Sequence, residues 1–284
     1  MIEHISDTAR WVAYYRAMET DRPDALFRDP YARRLAGPVG EAIVDRVHRG
    51  RQMAWAMIVR TAVFDEIILD QVTSHGVDLV VNLACGLDTR PWRLPLPPDL
   101  RWVDVDLPGI LEAKTSALSG ERPTCRYEAV PTDLTDPAAR DALLSRLAPA
   151  GQQALIVTEG LLIYLLPEQV LDLAHALHRP AAFRWWLTDL ASPRLLKMLA
   201  RSWASTLERG NAPFRFGPAE GTAFFRPAGW REAIFRSTLE EARRLRREMP
   251  MMWLWRLLGR LSSAKERESV RRMSGYVLLE RAAA

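Results

Sequence analysis

The sequence predicts a doubly wound, Rossmann-like α/β domain, and three observations carry that expectation. Short runs rich in β-branched residues recur along the chain: DLVVNL (78–83), RWVDV (101–105), RYEAV (126–130), ALIVT (154–158) and FRWWLTDL (183–190). Helical stretches separate most of them, and strands that alternate with helices imply a mostly parallel sheet covered on both faces. At 284 residues the chain is long enough to bury a substantial core in one domain.

The first 75 residues read as a helical cap. RQMAWAMIVRTAVFDEIILDQV (51–72) puts Met57, Phe64, Ile67 and Ile68 on one face at helical spacing. Gly76 suits a left-handed cap just past its end. Residues 76–190 hold the five strands, and Pro167 leads PEQVLDLAHALH as suits a first helical turn. After Asp189 the alternation fails. The segment 191–230 is aromatic and punctuated by Gly and Pro, and it reads as an insertion or lid over the sheet. In the remainder, 231–284, REAIFRST (231–238) and GYVLLER (275–281) are expected to be the last two strands, with basic helices between them.

Composition excludes several classes. Hydrophobic residues make up 48% and charged residues 26%, as in ordinary globular chains. No apolar run approaches the ~20 residues of a membrane span, and MIEHISDTARWVAYYR lacks the layout of a secretory signal. Two cysteines, Cys85 and Cys125, give no disulfide framework, so a reduced cytoplasm is expected. The net charge of +4 collects near the end, in EARRLRRE and RESVRR, where acids are interleaved. Such patterning describes solvated helix faces rather than a nucleic-acid stripe.

In an open parallel sheet, ligands bind beyond the carboxyl ends of the strands. The residues there are Gly86 after the first strand, Asp104 and Asp106 at the end of the second, Asp133-Leu134 after the third, and Glu159-Gly160 after the fourth. Asp104 and Asp106 lie 18 and 20 residues beyond Gly86, the distance at which an acid reaches ribose hydroxyls in nucleotide-type folds. The G-x-G-x-x-G fingerprint is absent, which argues against a nicotinamide enzyme, and so is a Walker loop. Arg60 shares the apolar face of its helix and therefore needs an anionic partner. That partner is either one of these acids or a ligand carboxylate. His175 and His178 lie three apart with no third ligand nearby, so no metal is expected. Cys85 reads as a small buried thiol rather than a nucleophile.

The string VVNLACGLDTRPWRL, followed by WVDVDLP, VPTDL and VTEGLLIYL, resembles the leucine carboxyl methyltransferase family, and in particular its bacterial branch with the tetracenomycin-type polyketide carboxyl O-methyltransferases. SDTARWVAYYRA and LFRDPYARRLAG resemble that branch's N-terminal segment, and FGPAEGTAFFRPAGW its insertion. The resemblance implies a class I methyltransferase fold and S-adenosyl-L-methionine as cofactor. It implies that Arg60 binds the cofactor carboxylate, Gly86 admits the methionine portion, and Asp106 takes the ribose hydroxyls. Asp133 and Leu134 would frame the adenine, and Glu159 would line the cleft. Ala84 stands where the family's motif has a glycine.

An acceptor carboxylate, with a pKa of ~4, is ionised at neutral pH and needs no general base. A hydroxyl acceptor needs one. No acid or histidine in the motifs is free for that task, so a methyl ester of a carboxylate is the expected product. MMWLWRLLGRL (251–261) and TARWVAYYRA (8–17) hold five Trp and Tyr residues and suggest a lid over an apolar, aromatic acceptor. Tyr15, Arg16, Tyr164 and Trp253 are the candidate acceptor residues, with Arg16 steering the carboxylate. A hydroxyl O-methyltransferase, a non-catalytic cofactor-binding relative and a nucleotide enzyme of the same fold remain the alternatives.

Overall fold

A computed structural model of the chain describes residues 5–46, 50–147, 153–199, 214–249, 252 and 262–282. Three helices come first: α1 (Ile5–Thr20), α2 (Ala32–Arg46) and α3 (Gly50–Ser74). Gly37 breaks α2 with a left-handed φ of 58° just before Pro38. Gly76 adopts the left-handed φ of 70° expected of a cap after α3.

The alternating part follows as β1 (Leu79–Leu83), α4 (Arg90–Arg93), β2 (Arg101–Asp106), α5 (Pro108–Ala117), β3 (Arg126–Pro131), α6 (Pro137–Leu147), β4 (Ala154–Thr158), α7 (Pro167–His178) and β5 (Phe183–Ala191). Two further strands, β6 (Trp230–Ser237) and β7 (Ser274–Arg281), complete one sheet in the order β3-β2-β1-β4-β5-β7-β6. β1 to β5 are parallel, whereas β7 runs antiparallel to both β5 and β6. All seven strands coincide with the runs read from sequence to within about two residues.

The period of two explains how both faces are covered. In β1, Val80 packs with α3 residues Val63, Phe64 and Ile67 on one face. Leu79, Val81 and Leu83 pack on the other, with Leu144 of α6 and Leu173 of α7. Phe64 is wholly buried, so its truncation to alanine costs ~3–5 kcal/mol.

The segment expected as a lid serves two purposes. Residues 193–199 are helical, and Leu195 and Leu199 line the cavity described below. Gly221–Ala228 is instead a 3-10 turn packed into the core, where Phe225 meets Trp186 edge-on at 5.2 Å. Residues 200–213, and most of the apolar segment 251–261 including Trp253, lie outside the described residues. Among the described residues, no helix is long and apolar enough to cross a membrane.

Candidate functional site

Strand order reverses between β1 and β4, so the loops after β1 and β4 diverge and leave a crevice. A cavity of about 630 Å³ opens there, within the usual size range for small-molecule sites. Asn82 of β1, Asp106 of β2, Asp189–Ala191 of β5 and the first residues of antiparallel β7 reach the wall, together with the loops that follow β1 and β4.

After β1 the chain turns sharply through Ala84–Thr89. Gly86 has φ +53°, and a Cβ there would lie 3.3 Å from Ala9 of α1. Ala84 also sits at a positive φ, 52°, where an L residue is strained. Alanine at this position therefore stores strain in the turn.

β2 ends in two acids with different tasks. Asp104 is fully buried and paired with Lys114 at 2.5 Å, and it also accepts from Trp102 Nε1 and Asn82 Nδ2. Asp106 faces the cavity. Its Oδ2 accepts from Gly86 N at 2.7 Å and its Oδ1 from Leu107 N at 2.8 Å. Burial pushes the Asp106 carboxyl above its usual range despite these bonds. Each carboxylate oxygen keeps a lone pair for a ligand hydroxyl.

The far wall is an ionic network. Arg60, from α3, donates Nε to Glu159 Oε1 at 2.9 Å and NH1 to Asp189 Oδ2 at 3.3 Å. Glu159 Oε2 accepts from Arg90 at 2.7 Å, and Arg90 also binds Asp88 at 2.6 Å and Asp65 at 2.7 Å. Arg93 completes the network on Asp65. Burial alone would raise Glu159, but Arg90 and Arg60 outweigh it and hold the carboxyl below its usual range. Asp88 is held down in the same way by Arg90, Lys114 and Arg93. Gly160 allows the close packing, because a Cβ there would sit 2.9 Å from Arg60 NH1.

Of the residues singled out from sequence, Arg60, Gly86, Asp106, Glu159, Tyr15, Arg16 and Tyr164 line this one cavity. Two of the expected positions have settings that the sequence did not show. Asp133 is exposed, its Oδ1 accepting from Thr135 N and Oγ1 in a local turn, and Leu134 packs against the core. Neither lines the cavity, because β3 lies at the sheet edge, two strands from the crevice. Arg16 is no free cation: Nε binds buried Asp29 at 2.8 Å and NH2 binds the Leu87 carbonyl at 2.6 Å. It braces α1 onto the β1 turn. Tyr15 is similarly occupied, donating to Gly50 O at 2.7 Å. Tyr164 is half-buried against Phe214, and its hydroxyl is held above the usual range by burial.

Asp88, Arg90 and Asp189 also line the cavity, and sequence reasoning had given them no role. Asp88 and Arg90 lie inside the GLDTR motif, and Asp189 lies two residues before the end of the fifth strand, so the strand-end rule reaches it once extended by one strand. Cys85 also lines the cavity, but burial pushes its thiol well above the ordinary range, which leaves it a poor nucleophile. Among the described residues, no group of three or more His, Cys, Asp or Glu is placed to hold a metal.

The sheet order, with its antiparallel β7, and the acid ending β2 define the class I methyltransferase architecture. The sequence model of the leucine carboxyl methyltransferases matches residues 9–178, more than half of the chain, and the chain belongs to that family. A candidate S-adenosyl-L-methionine-dependent methyltransferase of Streptomyces coelicolor is 40% identical over 180 residues, which cover 58% of this chain and 61% of the relative. A second, from Mycolicibacterium smegmatis, is 36% identical over 201 residues, covering 63% and 65%. The chain thus matches under two thirds of the length of these relatives. Two solved structures share the fold at low identity. A candidate methyltransferase from Thermobifida fusca superposes with a TM-score of 0.61 at 16% identity, covering 99% of this chain and 96% of its own. A DUF574 family protein from Streptomyces avermitilis gives 0.60 at 15%, covering 97% of each.

Proposed function

We propose that the chain is an S-adenosyl-L-methionine-dependent O-methyltransferase that converts a carboxylate of an apolar small molecule, such as a polyketide acid, into its methyl ester. The observation that carries this reading is the set of groups around the one cavity. Asp106 offers an acid for a ribose diol, and Arg60 with Glu159 and Asp189 offers both signs of charge for a zwitterion. Gly86 and Gly160 line the cavity without a side chain of their own, and Gly160 lets the Arg60 guanidinium lie against its backbone. This donor set fits the cofactor's nucleoside and amino-acid ends.

When bound, the cofactor supplies a methyl group on a sulfonium, which an acceptor oxygen takes by in-line displacement. The protein's contribution is position and exclusion of water. Trp11, Met53, Leu195, Phe214 and Met273 give the rest of the cavity an apolar lining, suited to a flat or greasy acceptor. Methionines among them let that lining adapt to shape.

The product type follows from the lack of a base. No histidine is among the described lining residues. The lining acids Asp88, Glu159 and Asp189 are held by arginines, and Asp106 by two backbone amides. The Tyr164 hydroxyl is harder to ionise than usual. A carboxylate acceptor needs none of these to remove a proton.

The test is turnover of methyl-labelled cofactor on a panel of apolar carboxylic acids, followed by mild alkali. Labelled methanol identifies an ester. Label that resists alkali identifies an ether or N-methyl product and overturns the carboxylate reading. Cofactor binding without turnover on any acceptor identifies a non-catalytic relative.

A further inference from the structure

We propose that Asp189 receives the α-ammonium of the cofactor's methionine portion and is therefore a cofactor-positioning residue at the end of β5. The inference rests on the reading above, in which Arg60 takes the cofactor carboxylate.

The argument is one of charge and of which acid is free to change partners. Arg60 already faces two carboxylates, Glu159 at 2.9 Å and Asp189 at 3.3 Å. The ligand's carboxylate is a third. Crowding three anions onto one guanidinium is unfavourable in a partly buried site unless a cation arrives with them. An amino-acid ligand brings that cation next to its own carboxylate. Its ammonium must then find an acid beside Arg60.

Glu159 is a poor choice, because both oxygens are taken: Oε1 by Arg60 and Oε2 by Arg90. Asp189 is anchored differently. Its Oδ1 accepts from Gly160 N at 2.7 Å, which fixes the carboxylate plane. Its Oδ2 makes only the longer contact to Arg60 NH1. Asp189 is also the more exposed of the two, with 23% of its side chain accessible against 15% for Glu159. Oδ2 can therefore turn from Arg60 to the ligand ammonium while Oδ1 stays in place.

The balance of the network agrees. Three arginines, Arg60, Arg90 and Arg93, are joined by ion pairs to four carboxylates, Asp65, Asp88, Glu159 and Asp189. One negative charge is left over, and Asp189, the acid with the longest ion pair of the network, lines the cavity beside Arg60.

Calorimetric binding of three probes to the full chain tests the assignment: S-adenosylhomocysteine, its deaminated analogue, and 5′-methylthioadenosine, which lacks the amino-acid portion. Asp189→Asn should weaken S-adenosylhomocysteine about 10- to 100-fold, the loss of one charge-assisted bond. Binding of the other two probes should change less than about twofold. Equal losses for all three probes, or none for S-adenosylhomocysteine, would overturn the role. If the wild-type chain binds methylthioadenosine but not S-adenosylhomocysteine, the Asp189 assignment falls while a nucleoside site stands. If it binds no probe, the cofactor reading itself falls. Should Asp189→Asn not fold, a crystal structure of the wild type with S-adenosylhomocysteine decides: an ammonium beyond hydrogen-bond distance of Asp189 refutes the proposal.

Discussion

Asp106 braces the turn after β1 with the same two oxygens that are proposed to take the ribose, so its removal must be designed to separate the two. Its carboxylate accepts from Gly86 N at 2.7 Å and Leu107 N at 2.8 Å. A hydrogen bond to a charged group is worth about 1.5–3 kcal/mol. Alanine deletes both bonds and leaves two amides searching for partners. Asparagine keeps one oxygen for one amide and loses the other bond, while relieving the burial that raises the Asp106 pKa. Asp106→Asn should thus cost the fold about 1–3 kcal/mol. At about 2–4 °C per kcal/mol for a chain near this size, the melting temperature should fall by about 2–12 °C. The lost charge at the ribose should weaken S-adenosylhomocysteine by a further 1.5–3 kcal/mol, or about 10- to 150-fold. Calorimetric titration and thermal melting, run on the same preparations, give the two numbers. A lowered melting temperature with affinity unchanged within twofold would mean that Asp106 only braces the turn, and the ribose role would be lost. The raised pKa adds a signature: wild-type affinity should decline as pH falls through the Asp106 value, and the Asn variant should lack that decline.

Ala84→Gly should stabilise the protein by about 0.5–1 kcal/mol, since relief of ~1–2 kcal/mol of left-handed strain at φ 52° exceeds the glycine entropy cost of ~0.5–1 kcal/mol; an unchanged or lower melting temperature would show that the turn carries no strain there. Arg16→Ala leaves Asp29 buried without its cation and should cost about 3–5 kcal/mol. S-adenosylhomocysteine affinity should fall with it, whereas an unchanged melting temperature with a raised acceptor KM would restore a substrate role. Acid should unfold the protein through Asp88 and Glu159, whose folded pKa values the arginines hold below the unfolded ~4. Their stability is present above that unfolded value and lost as pH falls toward the folded one, so Asp88→Asn should flatten the melting-temperature profile below about pH 4.

The strands were legible because each is a short β-branched run closed by a turn or a helix signal, and that information is local. Gly86, Asp106 and Glu159 were legible for a related reason: once a parallel sheet is inferred, strand ends become ligand-facing positions whatever the distant chain does. Asp133 obeys the same rule yet does not line the cavity, because the rule ignores strand order. β3 sits at the edge, and an acid at its end meets solvent instead of the crevice. The partner of Arg16 was not legible. Sequence shows a guanidinium among aromatics but not that the loop after α1 returns Asp29 to it.

The ionic network was the least legible part, and its cost is the best reason to connect it with a ligand. Arg60 meets Asp189 across 129 residues of sequence and Glu159 across 99. No local pattern announces such pairs. Burying charges is expensive, and apolar residues of similar volume often serve stability as well or better. A network kept for the fold alone would also be expected to balance its charges and to spread around the core. This one holds four carboxylates against three arginines, and Arg60, Arg90, Arg93, Asp88, Glu159 and Asp189 all line the same cavity. The remaining member, Asp65, is placed to hold Arg90 and Arg93 from behind. Groups that are costly to bury, left one charge out of balance and gathered on one wall, are what binding a cationic, zwitterion-bearing cofactor requires. The fold alone gives no reason for them.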